Sequence, residues 1–224
     1  MAVGGSTVDL RSVVLRAADA AHGSPRGARA ADAAAPRGAR AADAAASRGA
    51  RAADAGRLGR VRSIELVLDG PSDAAVRALW QTLVAAELPS LGHSGTNDPH
   101  VTLAAGETLP VPTEVDAALP EALRVAGVLL FPAGPGRHVL GLGVVVDEPL
   151  ARFHRAVHTA APGSLDSSLP GRWAPHVTLA RRIRDVDLPA ALRVLTADAP
   201  LPEVLTVGGL RHWDGDAKVV TPLP

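Results

Sequence analysis

Two patterns of apolar and polar residues alternate along the C-terminal three quarters of the chain. Short runs that are apolar throughout or apolar at every second position predict strands, and there are seven of them: Arg60–Leu68, His100–Ala104, Val125–Phe131, Val139–Val146, Pro175–Ala180, Val204–Trp213 and Ala217–Thr221. Helical periodicity, a capping Ser72 and flanking prolines predict four helices: Ser72–Val84, Pro112–Arg124, Pro149–Ala160 and Leu188–Thr196. Strands and helices thus alternate in two similar rounds, which predicts an α+β or α/β fold with an internal duplication.

The first quarter of the chain has a different composition. An 11-residue unit rich in Ala and Arg begins at Pro25, recurs at Pro36 and recurs again at Ser47. Each copy offers only Ala for burial and contains a Gly, so burial cannot offset the entropy lost on ordering. We therefore predict that residues 1–58 are disordered and that residues 59–224 form one domain. The near-identity of the copies is typical of a tandem repeat in coding DNA, which leaves a start further downstream as an alternative.

Composition excludes several classes of protein. The chain has 224 residues, no Cys, and only three Trp and two Phe as aromatic residues, so disulfides, thiol nucleophiles and Cys-ligated metals are absent. Residues 1–58 contain nine Arg and five Asp, whereas the remainder contains 14 basic and 18 acidic residues. A mildly acidic domain is a poor match for duplex DNA, and no apolar run approaches the roughly 20 residues of a membrane helix. We expect a soluble, cytoplasmic protein that holds a small or locally contacted substrate.

One tetrapeptide occurs twice, as His100-Val-Thr-Leu103 and His176-Val-Thr-Leu179, each time after a Pro and before an Ala. In a strand each His shares a face with its Thr, while Val and Leu point to the other face. Two imidazoles with ordinary pKa values near 6.5 can serve as acid and base at neutral pH. Threonine hydroxyls can bind the oxygens of a phosphate. This chemistry suits phosphodiester cleavage and requires no metal or other cofactor.

The paired motifs, 76 residues apart, resemble the HxTx signatures of the 2H phosphoesterase superfamily, in its branch of 2′-5′ RNA ligase-like proteins, also called RNA 2′,3′-cyclic phosphodiesterases. The resemblance covers residues 60–224. It implies an α+β fold of two pseudo-symmetric lobes, whose antiparallel-rich sheets flank a central cleft. It also implies that His100 and His176 are the catalytic pair, and that Thr102, Thr178 and Arg181 bind the substrate phosphate.

The function implied by this resemblance is the opening of 2′,3′-cyclic phosphates, on RNA ends or small nucleotides, to 2′-phosphates by a monomeric enzyme. Two alternatives remain open: a non-catalytic module that binds nucleotides or RNA ends, and a 2′-5′ RNA ligase that runs the reverse reaction. The sequence also leaves open which His is the acid, although we favour His100 as acid and His176 as base. Trp173 is a candidate contact for the base of the substrate, with a role in the hydrophobic core as the equally weighted alternative.

Other histidines have weaker patterns. His154 and His158 have the i, i+4 spacing of a two-His metal site, but no third ligand is evident, so we expect polar residues that face solvent. His212 lies in an alternating strand and is expected at the surface.

Overall fold

The computed structural model describes residues 61–197 and 200–224. The predicted disorder of residues 1–58 lies outside the described residues and stays a prediction. Seven strands are present in the described part: β1 Arg62–Leu68, β2 His100–Gly106, β3 Ala122–Pro132, β4 Arg137–Val144, β5 His176–Arg184, β6 Val204–Asp214 and β7 Val219–Leu223. Three α-helices accompany them: α1 Gly70–Ala85, α2 Glu148–Ala160 and α3 Leu188–Ala197.

The strands form one antiparallel sheet in the order β1-β2-β5-β4-β3-β6-β7. An additional antiparallel pairing joins β1 to β6, so the pairings run in a closed circuit through six strands. The two motif strands, β2 and β5, are neighbours through the pair Val101 and Val177. The α+β class with an antiparallel sheet is therefore confirmed, and the bilobal arrangement stays a prediction.

Apolar residues of the two motifs are fully buried, which fixes the orientation of both strands. Val101, Leu103, Val177 and Leu179 each expose 0% of their surface. The face carrying His100, Thr102, His176 and Thr178 is only half-buried, and we call it the motif face. Buried residues of the helices belong to the same hydrophobic core: Val76, Trp80, Leu83, Leu150, Phe153 and Val157.

The first two helices begin in the same way, on an Asp that is followed two residues later by a Pro. Asp69 caps α1 by accepting from the backbone N–H of Ser72, and Asp147 caps α2 by accepting from that of Leu150. Carboxylates satisfy free N–H groups at a helix start, and Pro fits the first turn. The prediction that Ser72 caps α1 was wrong, because its hydroxyl instead accepts from the N–H of Thr206. The repeated capping pattern supports an internal duplication.

The helix predicted at Pro112–Arg124 is absent, and β3 begins at Ala122 instead. Prolines at 110, 112 and 120 each lack a donor and disfavour helical conformation in the preceding residue. The other predicted strands and helices are confirmed, with ends that differ by a few residues. Within residues 61–197 and 200–224, no helix is long and apolar enough to cross a membrane.

Candidate active site

The two motif histidines are held by the same hydrogen bond. Nδ1 of His100 donates to the carbonyl oxygen of Asp98 at 2.8 Å, and Nδ1 of His176 donates to that of Ala174 at 2.9 Å. The residue in between is a Pro in both cases, and its ring restricts the backbone that presents this carbonyl. Because a carbonyl can only accept, Nδ1 keeps its proton, and Nε2 is the nitrogen free to exchange one.

The hydroxyls of Thr102 and Thr178 are not used by the fold. Both residues are half-buried, and neither hydroxyl has a hydrogen-bond partner among the residues that the structure describes. Their position beside the histidines on the motif face leaves two donors available to a ligand. Phosphate binding by these residues stays a prediction, and the geometry is compatible with it.

Two tryptophans donate hydrogen bonds to the backbone of the two motif strands. The indole Nε1 of Trp80, on α1, donates to the carbonyl of Thr178 at 3.0 Å, and that of Trp173 donates to the carbonyl of Thr102 at 2.8 Å. Each Trp precedes the motif of one round and holds the strand of the other. The ring of Trp173 stacks on His154, with centroids 3.9 Å apart. The base contact predicted for Trp173 is untested, and its role in bracing β2 was missed.

The side of the motif face around His100 carries a buried charge. Glu65 pairs with Thr102 across β1 and β2, and its side chain is 5% exposed. Its Oε1 lies 3.6 Å from Nε2 of His100 and accepts from the Ser63 hydroxyl at 2.6 Å. Its Oε2 accepts from Nε of Arg211 at 2.8 Å. Sequence reasoning missed Glu65 and Arg211, although the polar alternation of Ser63 and Glu65 in β1 was visible.

The side around His176 has glycines in place of side chains on the neighbouring strand β4. Gly141 pairs with Thr178 and Gly143 pairs with His176, so neither position of β4 adds a side chain next to the motif. The Phe131 ring lies 4.5 Å from the imidazole of His176, centroid to centroid. A methyl group at Gly141 would lie 3.1 Å from Cδ2 of this imidazole. The imidazole of His176 therefore packs where a side chain at position 141 would otherwise lie.

Burial lowers the pKa of His176, despite the opposing effect of its hydrogen bond to Ala174. Positive charge on His100 and on Arg181 lowers the pKa further, which places both groups near this imidazole. His176 is thus the motif histidine whose surroundings disfavour protonation.

Arg181 lies at an irregular point of β5. Leu140 pairs with Ala180 and His138 pairs with Ile183, so two residues of β5 face one of β4, and Arg182 has a φ of 59°. Arg181 is exposed and has no carboxylate partner among the described residues. Its guanidinium is therefore available to an anion close to His176, and its predicted phosphate contact stays a prediction.

The expectation that His154 faces solvent was wrong. It is 3% exposed, because it lies on the buried face of α2 under Trp173, and its Nε2 lies 3.0 Å from the carbonyl oxygens of Leu103 and Ser168 and from Nε2 of His158. Burial, with a smaller contribution from His158, lowers the pKa of His154 to about 4. His212 is also buried rather than at the surface. No group of three or more potential metal-ligating side chains occurs in the part of the chain that the structure describes.

Part of the sequence matches a known family. Residues 114–218, which include the second motif, match the family model of the 2′-5′ RNA ligase superfamily. Over these residues, which make up just under half of the chain, the sequence is similar to this superfamily. The first motif, with His100 and Thr102, precedes the matched residues. No curated protein matches the sequence significantly.

Similar solved structures include Usb1 from the yeast Kluyveromyces marxianus, at 16% sequence identity and a TM-score of 0.45, covering 73% of this chain and 98% of that chain. The same yeast protein with uridine monophosphate matches at 14% identity and a TM-score of 0.40, covering 74% of this chain and 99% of that chain.

Proposed function

We propose that this protein is a phosphodiesterase of the 2′-5′ RNA ligase superfamily that opens 2′,3′-cyclic phosphates to 2′-phosphates, with His100 and His176 as general acid and base. The observation that carries the proposal is the repeated arrangement on the motif face. Both histidines donate from Nδ1 to a carbonyl, which leaves Nε2 as the nitrogen that can exchange a proton. Neither threonine hydroxyl has a hydrogen-bond partner among the residues that the structure describes. A purely structural pair of motifs would give these groups internal partners.

In the proposed reaction, neutral His176 takes a proton from a water molecule at Nε2. The resulting oxygen attacks phosphorus, the bond from phosphorus to the 3′ oxygen breaks, and His100 gives a proton to that departing oxygen. The lowered pKa of His176 suits the base, because a base must be neutral at working pH. The hydroxyls of Thr102 and Thr178 and the guanidinium of Arg181 stabilise the negative charge on the non-bridging oxygens.

The substrate that fits this site is a small nucleotide or an RNA terminus with a cyclic phosphate. The groups available to it, two hydroxyls and Arg181, suit one phosphate rather than an extended backbone. The aromatic ring of Phe131 lies next to His176, close to the proposed reaction centre. Binding without catalysis would not require two nitrogens poised to exchange protons, so the site favours an enzyme over a binding module.

The experiment is to incubate the full-length protein with 2′,3′-cyclic nucleotides and with oligonucleotides ending in a cyclic phosphate, in the presence of EDTA. We expect 2′-phosphate products, identified by ³¹P NMR. His100→Ala and His176→Ala should each reduce turnover about 10²-fold or more, whereas the control His138→Ala, which removes an imidazole paired with Asp185, should not. A 3′-phosphate product, dependence on a metal, or full activity of either motif variant would contradict the proposal. Joining of RNA ends without net hydrolysis would favour the ligase alternative.

A further inference from the structure

Equivalent positions in the two rounds hold different residues beside the motif histidines. Glu65 of β1 pairs with Thr102, and Gly141 of β4 pairs with Thr178. Residues paired across antiparallel strands lie on the same face of the sheet. Thr102 therefore has a carboxylate at its paired position on the motif face, whereas the position paired with Thr178 is a glycine and has no side chain.

The carboxylate of Glu65 lies close to Nε2 of His100, the nitrogen that gains a proton when this imidazole becomes charged. Nδ1 of His100 donates to the carbonyl of Asp98, so Nε2 carries a proton only when the ring is positively charged. The nearest carboxylate oxygen of Glu65 is 3.6 Å from Nε2, close enough for an ion pair that a small movement would turn into a hydrogen bond. Within residues 61–197 and 200–224, no carboxylate forms an ion pair with His176, which has Phe131 and Gly141 beside it.

The carboxylate of Glu65 is itself held in place. Ser63 donates to one oxygen and Arg211 donates to the other, and Arg211 also contacts the carboxylate of Asp98. These contacts fix the orientation of Glu65 and provide a positive charge that offsets it. Without Arg211, a buried carboxylate would repel an anionic phosphate on the same face.

We propose that Glu65 is a positioning residue that holds the protonated His100 with Nε2–H directed for donation to the leaving oxygen. This inference rests on the proposed function and deepens it, because it makes His100 the acid and leaves His176 as the base. Glu65 does not touch the reacting atoms. It affects catalysis only by orienting the imidazole of His100.

The test compares two substrates of the full-length protein, a nucleoside 2′,3′-cyclic phosphate and its analogue in which sulfur replaces the bridging 3′ oxygen. A thiolate leaves without a proton because thiols have pKa values near 8.5, far below those of alcohols. Glu65→Gln should reduce kcat for the oxygen substrate about 10-fold or more, as expected when a general acid loses its orientation. The same variant should reduce kcat for the sulfur substrate less than about 3-fold.

The chain offers a matched control in Asp214→Asn. Asp214 forms the other ion pair between β1 and β6, with Arg62 at 2.9 Å, away from the motif face, and its replacement should leave both rates unchanged. Because Glu65→Gln leaves Arg211 partly unpaired, the double variant Glu65→Gln/Arg211→Gln should be measured as well. It removes both charges and should give the same difference between the two substrates if it folds.

Equal losses on the two substrates in both variants would overturn the inference, since they would indicate a structural role. Failure of the wild-type protein to open either substrate would contradict the proposed function instead. In that case the inference is judged by the ¹⁵N–¹H signal of His100 Nε2 at acidic pH. A signal that persists in the wild type and exchanges rapidly with water in Glu65→Gln supports the contact, and identical signals overturn it.

Discussion

Thr178→Val separates the function of the motif from its role in the fold. Valine keeps the shape of threonine and removes the hydroxyl, which has no partner among the residues that the structure describes. The substitution therefore leaves no internal donor or acceptor unpaired. We expect the free energy of unfolding to change by less than about 0.5 kcal/mol, as for substitutions that break no specific interaction.

The effect on catalysis should be much larger. A hydrogen bond to a charged group contributes about 1.5 to 3 kcal/mol, which corresponds to a decrease of roughly 10- to 150-fold in kcat/KM for the cyclic phosphate. The assay measures initial rates and urea unfolding on the same preparation. A loss of more than about 1 kcal/mol in unfolding free energy, or an unchanged kcat/KM, would refute the assignment of this hydroxyl to substrate phosphate.

Ser72→Ala is the converse control. The hydroxyl of Ser72 accepts from the backbone N–H of Thr206 at 2.8 Å, so its removal should cost about 1 kcal/mol of stability. For a domain of this size that corresponds to roughly 2 to 4 °C in Tm. The kcat/KM should be unchanged, because Ser72 lies at the start of α1. A parallel fall in stability and kcat/KM in both variants would show that the two effects are not separable.

The surroundings of three other residues give measurable expectations. Since burial lowers the pKa of His176, the acidic limb of kcat/KM should lie below pH 6.5, and a limb above that value would exclude it as the base. His154 is held neutral with a pKa of about 4, so stability should be complete above pH 6.5 and fall towards pH 4 by on the order of 3 kcal/mol. His154→Gln should remove most of this pH dependence. Gly141→Ala should reduce turnover about 10-fold by displacing the adjacent imidazole, whereas Gly95→Ala, which meets open space, should not.

Most strands and helices were predictable because the hydrophobic pattern within each short segment matches the period of the element that forms. The alternation in the two HVTL strands places Val and Leu in the core, and all four are fully buried. Where local signals conflict, the prediction was wrong. In Pro112–Arg124 the apolar spacing favoured a helix, but the prolines disfavour one, and the segment is irregular until β3 begins at Ala122.

In the candidate site, only residues in or near the two motifs could be predicted from the sequence. Glu65 reaches His100 because β1 pairs with β2 in a register that includes an irregularity between Ile64 and Glu65. A shift of one residue would turn this side chain to the opposite face. Register between strands more than 30 residues apart is set by the assembled sheet, so local periodicity does not contain it. The burial of His154 is similar, because it depends on Trp173 from a distant loop.

The proposed assignment of His100 as acid and His176 as base follows the same reasoning. Identical tetrapeptides with identical Nδ1 contacts cannot by themselves make one imidazole an acid and the other a base. The difference must come from neighbouring residues, and these differ. Glu65 lies beside His100, while Phe131 and Gly141 lie beside His176. The two motif strands have identical tetrapeptides, and different residues on the strands next to them make their surroundings unequal. Catalysis by two like groups requires that inequality, because general acid and general base must hold opposite protonation states at the same pH.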